Sequence, residues 1–239
     1  MATPAEQRKK SLKLLRKLGI CKDFYEKQAW AQNKLICGVD EVGRGCLAGP
    51  VVVCAAILKP GKRINLIKDS KILNAEQRVS VAKKLALNAW YGFGILDQSQ
   101  ITEVNIWHAT LRGMKRAVMN LFSTCPELPS KVLVDAMPLN LQNTAYKNIE
   151  IHNFPFGEFV SKSIAAASIL AKVKRDEMMN RFGAVMPGYE FQSHKGYGTP
   201  KHQEALKLNG QSILHRQNFL KKYEVRELDE EWSHGTIFR

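Results

Sequence analysis

The chain has 239 residues, 45% of them hydrophobic, enough for one substantial core, although length alone admits one domain or two. Its formal charge of +14, from 36 lysines and arginines against 22 acids, points to a polyanionic partner or a charged surface and says nothing about fold. The longest uncharged apolar run, Leu47–Leu58, is too short to span a bilayer and contains Gly49 and Pro50, so no membrane partner is expected. The N-terminus, MATPAEQRKK, lacks the apolar core of a signal peptide, and the five cysteines (21, 37, 46, 54, 125) are scattered without a CxxC pair. Both features fit a cytoplasmic protein with reduced thiols and argue against a cysteine-based zinc site.

In chain order, Ser11–Ile20 carries four leucines among basic residues and reads as a basic amphipathic helix packed on the domain. Leu35–Leu58 follows, LICGVDEVGRGCLAGPVVVCAAIL: an apolar strand ending in Asp40 and Glu41, a glycine-rich turn, and a second apolar strand. In a regular strand the two acids would point to opposite faces. They can share one site only if the strand ends or twists there, a freedom that Gly43 and Gly45 supply. Asp69 or Asn74 could cap a helix over Ala75–Leu87, with Lys71 just before it. Trp90–Leu96 fits a third strand. Val104–Phe122 has helical spacing, Lys131–Asp135 is a short buried strand ending in an acid, and Ile149–Phe154 alternates like a fifth strand.

Ser161–Phe182 is the strongest helix, alanine-rich and closed by Gly183 and Pro187. On it Asp176 interrupts an apolar stripe. Taken alone, Asp176 could equally form an i−4 surface bridge with Lys172, and Asp135 could be a solvated strand end. A loop rich in glycine, aromatics and lysine (Pro187–Pro200), a short helix (Lys201–Leu208), SILHRQNF and an acidic tail complete the chain. Together these elements predict an α/β layer architecture with a mixed sheet, in which Asp40, Glu41, Asp135 and Asp176 can converge at one edge. Four carboxylates with little histidine or thiol nearby suit Mg²⁺ or Mn²⁺. Two such ions could activate water and stabilise the leaving oxygen of a phosphodiester, and with the basic composition this favours a nuclease.

VDEVGRGCLAGPVV, DSKIL, VLVDAMP, IAAASILAKVKRDEMM and HKGYGT resemble, in order from about Leu35 to Phe219, the type 2 ribonuclease H family, its bacterial HII branch in particular. The resemblance implies a ribonuclease H-like fold, a mixed central sheet flanked by helices with a helical C-terminal extension. The chain is expected to divide into a basic N-terminal helical extension over 1–34, a catalytic domain over 35–210 and a helical C-terminal segment over 211–239 packed on the catalytic domain. The resemblance further implies an endonuclease that cuts RNA in RNA–DNA hybrids and 5′ of single ribonucleotides in duplex DNA, leaving 3′-hydroxyl and 5′-phosphate ends, and the protein is expected to be monomeric. By the same resemblance Asp40, Glu41, Asp135 and Asp176 match the metal-binding acids of a two-metal mechanism with Mg²⁺ or Mn²⁺. Gly43, Arg44 and Gly45 match the motif that grips the backbone and senses the 2′-hydroxyl, Tyr197 the residue that stacks on the next sugar, and Lys71 a phosphate contact. The chain departs from the family pattern at Ala136, Ile72 and Cys46, and Glu158 stands in the region of a common Gly-Asp pair.

Two other classes compete with this reading. Gly43 to Ala48 fits the dinucleotide pattern G-x-G-x-x-A, but Gly49, Pro50 and a β-branched run follow where that motif must open a helix. A non-catalytic nucleic-acid-binding module would have no use for four acids that repel phosphate.

Overall fold

The computed structural model describes residues 23–61, 73–155, 157–223 and 225, together with Lys13 and Lys17. Most of the expected basic helix, Asp69, Lys71 and nearly all of the acidic tail therefore lie outside the described residues.

One five-stranded sheet, ordered β3-β2-β1-β4-β5, carries the architecture. The predicted hairpin forms: β1 (Ile36–Val42) pairs antiparallel with β2 (Val51–Leu58), and β2 with β3 (Ala89–Leu96). On the other side β1 pairs parallel with β4 (Lys131–Asp135), and β4 with β5 (Glu150–Phe154). The sheet is mixed, as expected.

β2 is buried along its whole length because helices cover both faces. Val51, Val53, Ala55 and Ile57 pack with Met114, Ala117 and Leu121 of a helix over Gln98–Phe122. The alternate residues Val52, Cys54, Ala56 and Leu58 pack with two further helices, through Val81 and Leu85 of Ala75–Asn88 and Ala165–Ala167 of Lys162–Val185. In chain order, with the short helix Phe24–Trp30 as α1, these are α2 (Ala75–Asn88), α3 (Gln98–Phe122) and α4 (Lys162–Val185). Asn74, one of the two candidate caps, closes a capping box with Gln77 at the start of α2. The helix expected from Val104 begins earlier, capped by Asp97, and breaks at Asn105 (φ 66°, ψ 167°). The Asn105 carboxamide oxygen accepts from the N–H groups of Trp107 and His108 and so starts the second stretch.

α4 lies against β1 because its first turn meets a glycine: a Cβ on Gly38 would stand 2.1 Å from the Ile164 nitrogen. α1 is fastened to that same end of α4. Lys162 pairs with Asp23 at 2.9 Å, and the buried Glu26 accepts from the Ser161 hydroxyl (2.6 Å) and the Ser163 N–H (2.8 Å). Beyond α4 the chain makes α5 (Phe191–His194), α6 (Pro200–Asn209) and α7 (Gln217–Leu220). This C-terminal part packs on the β1–β2 turn, where Ala48 bridges His215 and the Arg216 N–H donates to the Leu47 carbonyl.

Candidate active site

β4 pairs with β1 only as far as Val39 and Val134. Beyond that point, among the described residues, β1 pairs with no strand on its β4 side, while β2 still accompanies it through Val42. Asp40 and Glu41 therefore sit on regular strand, and both still reach one cleft, because the sheet opens beside them. The cleft is a cavity of about 330 Å³ lined by both acids with Asp135 and Glu158, and by Gly43 and Tyr197 on its loop side. Ser168 and Lys172 of α4, Arg78 of α2 and Arg44 complete its polar wall. A larger, more open hollow of about 470 Å³ runs along α3 beside Leu111 and Pro138 but has no carboxylate in its lining, so size does not select the site.

Among the described residues, Asp40, Asp135 and Glu158 offer carboxylate oxygens that all lie within 4.8 Å of one another. The third member arrives through local structure. Asp135 accepts from the Gly157 N–H at 3.0 Å, which fastens the 3₁₀ turn Gly157–Phe159 to the end of β4 and sets Glu158 beside it. Burial first, then the charges of Glu41 and Asp135, push the Asp40 carboxyl well above the usual carboxylate range, with a Ser168 hydrogen bond opposing them. Glu41 is raised too, by burial, while Arg44 pulls it back. Arg44 reaches Glu41 at 3.4 Å and lies 5.8 Å over the Trp107 ring. Glu41 Oε2 is buried without a hydrogen-bond partner among the described residues.

Of the four acids expected to converge, the structure gathers Asp40, Glu41 and Asp135 and leaves Asp176 outside the cavity lining. Asp176 sits one turn further along α4 and accepts from Lys172 at 2.7 Å, the i−4 pair that its spacing also allowed. Glu158 lies beside Asp40 and Asp135 instead. It stands in FGEF, in the region where the family has a common Gly-Asp pair, but it follows a glycine turn that carries no periodicity.

The loop residues divide. Gly43 has φ +94°, and a Cβ there would lie 2.3 Å from Arg175 Nε. A Cβ on Gly45 would meet nothing within 4 Å, so its surroundings are open. Tyr197 is 39% exposed, with the Lys172 ammonium 5.8 Å and the Arg175 guanidinium 5.8 Å from its ring. Two arginines that the sequence did not single out hold this loop. Arg175 donates to the carbonyls of Pro50 (2.9 Å), Ala48 (3.0 Å) and Lys195 (2.8 Å). Arg216 donates to Gly49 (3.0 and 2.7 Å) and Arg44 (3.0 Å). Arg175 shares a face of α4 with Ala171 and Met179, both buried, which is the one sign of its burial in the sequence.

The donor set is all carboxylate oxygen, with no thiol or imidazole in the cavity lining. Such donors suit a hard divalent cation, and the partnerless Glu41 oxygen and the raised Asp40 are what a missing cation would leave. The residues fit such an ion.

A family model described as Ribonuclease HII matches residues 37–223. A ribonuclease HII of Koribacter versatilis is 44% identical over 211 residues, covering 87% of this chain and 78% of its own. One from Parvibaculum lavamentivorans is 41% identical, covering 92% and 78%. Among solved structures, the ribonuclease HII of Archaeoglobus fulgidus in complex with PCNA matches at TM-score 0.64 and 19% identity, over 82% of this chain and 98% of that one. Bst-RNase HIII in complex with Mn²⁺ matches at TM-score 0.58 and 21% identity, over 78% and 64%.

Proposed function

The chain belongs to the ribonuclease HII family and is an endoribonuclease of RNA–DNA hybrids, and from that premise we propose that Asp40, Glu41, Asp135 and Glu158 bind its catalytic Mg²⁺ or Mn²⁺. The observation that carries this reading is the cluster of three carboxylates within 4.8 Å beside the partnerless Glu41 oxygen. Four acids give room for two ions. Bound there, such ions supply Lewis acidity to a phosphodiester and lower the pKa of an attacking water.

The protein's own groups do the rest. Ser168 orients the Asp40 carboxyl. Lys172, Arg78 and Arg44 put positive charge along the wall of a cleft that would otherwise repel a polyanion. Lys71, by the family resemblance, contacts a phosphate. Arg44 also screens Glu41, which keeps that acid ionised more readily than burial alone would allow.

The substrate reading follows the loop. A 2′-hydroxyl both donates and accepts a hydrogen bond, so fixed backbone groups suit its recognition. Gly43 and Gly45 present such groups, Gly43 clamped in a left-handed conformation and Gly45 leaving space for close approach. Tyr197, half-exposed in the lining of the same cleft, offers its ring to the sugar of the next deoxynucleotide. The two together read an RNA-to-DNA junction, in hybrids and at single ribonucleotides in duplex DNA. Cleavage falls 5′ of the ribonucleotide and leaves 3′-hydroxyl and 5′-phosphate ends.

A duplex carrying one ribonucleotide, incubated with Mg²⁺, Mn²⁺ or chelator and mapped at nucleotide resolution, tests this. Expected is metal-dependent cutting at that one position, lost in Glu158→Gln and better retained in Asp176→Asn. Equal cutting of an all-deoxy duplex would refute the hydroxyl readout, and a more severe loss in Asp176→Asn than in Glu158→Gln would return Asp176 to the metal set.

A further inference from the structure

Behind Tyr197 lies a group of buried histidines that the metal chemistry does not use. His194, His202 and His215 are buried, and the rings of His194 and His202 stack with centroids 4.2 Å apart. Their hydrogen bonds fix where every proton sits. His202 Nδ1 faces the Tyr197 carbonyl at 2.9 Å, an acceptor only, so Nδ1 carries a proton. His215 Nδ1 receives the Ser212 backbone N–H at 2.8 Å, a donor only, and the Ser212 hydroxyl at the same distance can donate to it as well, so that nitrogen is bare. His202 Nε2 and His215 Nε2 are 3.0 Å apart and must share one proton between them. A bare His215 Nδ1 requires that His215 Nε2 hold it and donate to His202 Nε2. Charging either ring would set two N–H groups against each other. Both rings are therefore neutral, in opposite tautomers. The chain of donors runs in one direction, from Ser212 through His215 and His202 to the Tyr197 carbonyl.

His194 grips the same peptide from its other side. It accepts from the Gly196 N–H at 3.1 Å and donates to the Tyr189 carbonyl at 2.7 Å, while the Tyr197 N–H donates to the His194 carbonyl at 3.0 Å. The Gly196 carbonyl in turn accepts from Leu47 (2.8 Å) and Ala48 (3.3 Å) of the glycine loop. Gly196 is thus tied directly to the glycine loop, while the relay holds the carbonyl of the neighbouring Tyr197.

We propose that His202 and His215 are positioning residues for substrate reading, a directed pair of neutral imidazoles that sets where the Tyr197 ring stands relative to the Gly43–Gly45 loop. The proposal rests on the reading of Tyr197 given above. Burial agrees with neutrality, holding His202 down to about 4 and His215 to about 3.

Two measurements test it. In the full chain with ¹⁵N-labelled histidine, long-range ¹H–¹⁵N spectra at neutral pH should show His202 protonated on Nδ1 and His215 on Nε2. The reverse tautomers, or a charged ring, overturn the relay. Kinetics on a junction duplex, with and without Tyr197, test the role. His202→Leu should lower kcat/KM about ten- to hundredfold, since ångström displacements of a positioning group cost that much. His202→Asn, whose amide nitrogen can replace Nδ1, should recover much of the loss. In a Tyr197→Ala background, His202→Leu should cost almost nothing more. An equal loss in both backgrounds overturns the positioning role and leaves the reading of Tyr197 standing. No loss in Tyr197→Ala itself overturns that reading and the positioning role together, while the tautomer spectrum still decides the relay.

Discussion

The acid cleft and the layer behind it both bury polar and charged groups, and they resolve the cost in opposite ways. In the cleft, Asp40, Glu41, Asp135 and Glu158 crowd together, burial raises the carboxyl pKa values of Asp40 and Glu41, and one carboxylate oxygen has no partner among the described residues. In the layer behind, the guanidinium nitrogens of Arg175 and Arg216 each meet backbone carbonyls, and the imidazole nitrogens of His202 and His215 are matched donor to acceptor. Buried polar groups that are fully matched hold a shape. Those left unmatched against like charge wait for a ligand that reverses the local field. The difference separates the chemistry from its scaffold.

The largest expected effect breaks the cleft alone. Asp40→Asn or Glu158→Gln should reduce the cleavage rate by about a thousandfold or more, the scale of losing a group that stabilises transition-state charge. The metal-free variants should be as stable as the parent or slightly more so, since mutual repulsion is relieved. Thermal melts with and without Mn²⁺ check both halves: the ion should raise the parent's Tm and raise that of the variants much less.

Arg216→Met breaks the other side. It strips the buried carbonyl of Gly49 and the part-buried carbonyl of Arg44 of their donor, and should cost about 3 kcal/mol in urea unfolding. If the variant lost activity with stability unchanged, the arginine would belong to the chemistry and the contrast would fail.

Acid titration sharpens the comparison, because the two regions respond with opposite sign. His202 and His215 have folded pKa values below the unfolded 6.5, so their contribution is full above pH 6.5. It is lost as pH falls from there toward about 4 and 3, by up to about 1.4 kcal/mol per pH unit for each ring. Asp40 and Glu41 are raised above their unfolded values, so their burial favours the fold at low pH and weighs against it as pH rises through their folded pKa values. Chelated protein should therefore lose stability less steeply below pH 6.5 than an Asp40→Asn variant does, as measured by denaturation at stepped pH.

The smallest effects separate the two loop glycines. Gly43→Ala forces a left-handed residue against Arg175 and should destabilise by about 1–2 kcal/mol. Gly45→Ala meets open space and should change stability by less than about 0.5 kcal/mol. Any loss of activity in Gly45→Ala is then a loss of close approach by substrate. A large destabilisation there would remove Gly45 from the reading surface.

Much of this molecule was legible in its sequence. The β1–β2 hairpin, β4 ending at Asp135 and the alanine-rich α4 announce themselves through apolar runs and helical spacing, because burial on both faces of a sheet demands continuous apolar strands. Asp40, Glu41 and Asp135 were visible as acids at strand ends. Asp176 had the credentials of a fourth acid, and only the packing of α4 showed that it turns to Lys172 while Glu158 fills the cluster. Helical spacing tells which residues share a face but not how far along the helix a neighbouring strand ends.

The sequence by itself determined the layer architecture, the kind of donor in the site and the family, since these follow from local pattern and residue chemistry. The tertiary structure decided which acids meet, that both Asp40 and Glu41 reach one cleft without leaving regular strand, and that two arginines and a pair of histidines brace the loops around it. Those outcomes depend on contacts between residues far apart in the chain: β4 stopping at Asp135 next to β1, and Arg216 reaching back to Gly49. No periodicity encodes such contacts, because the partner of a buried polar group is set by where the backbone of another element passes.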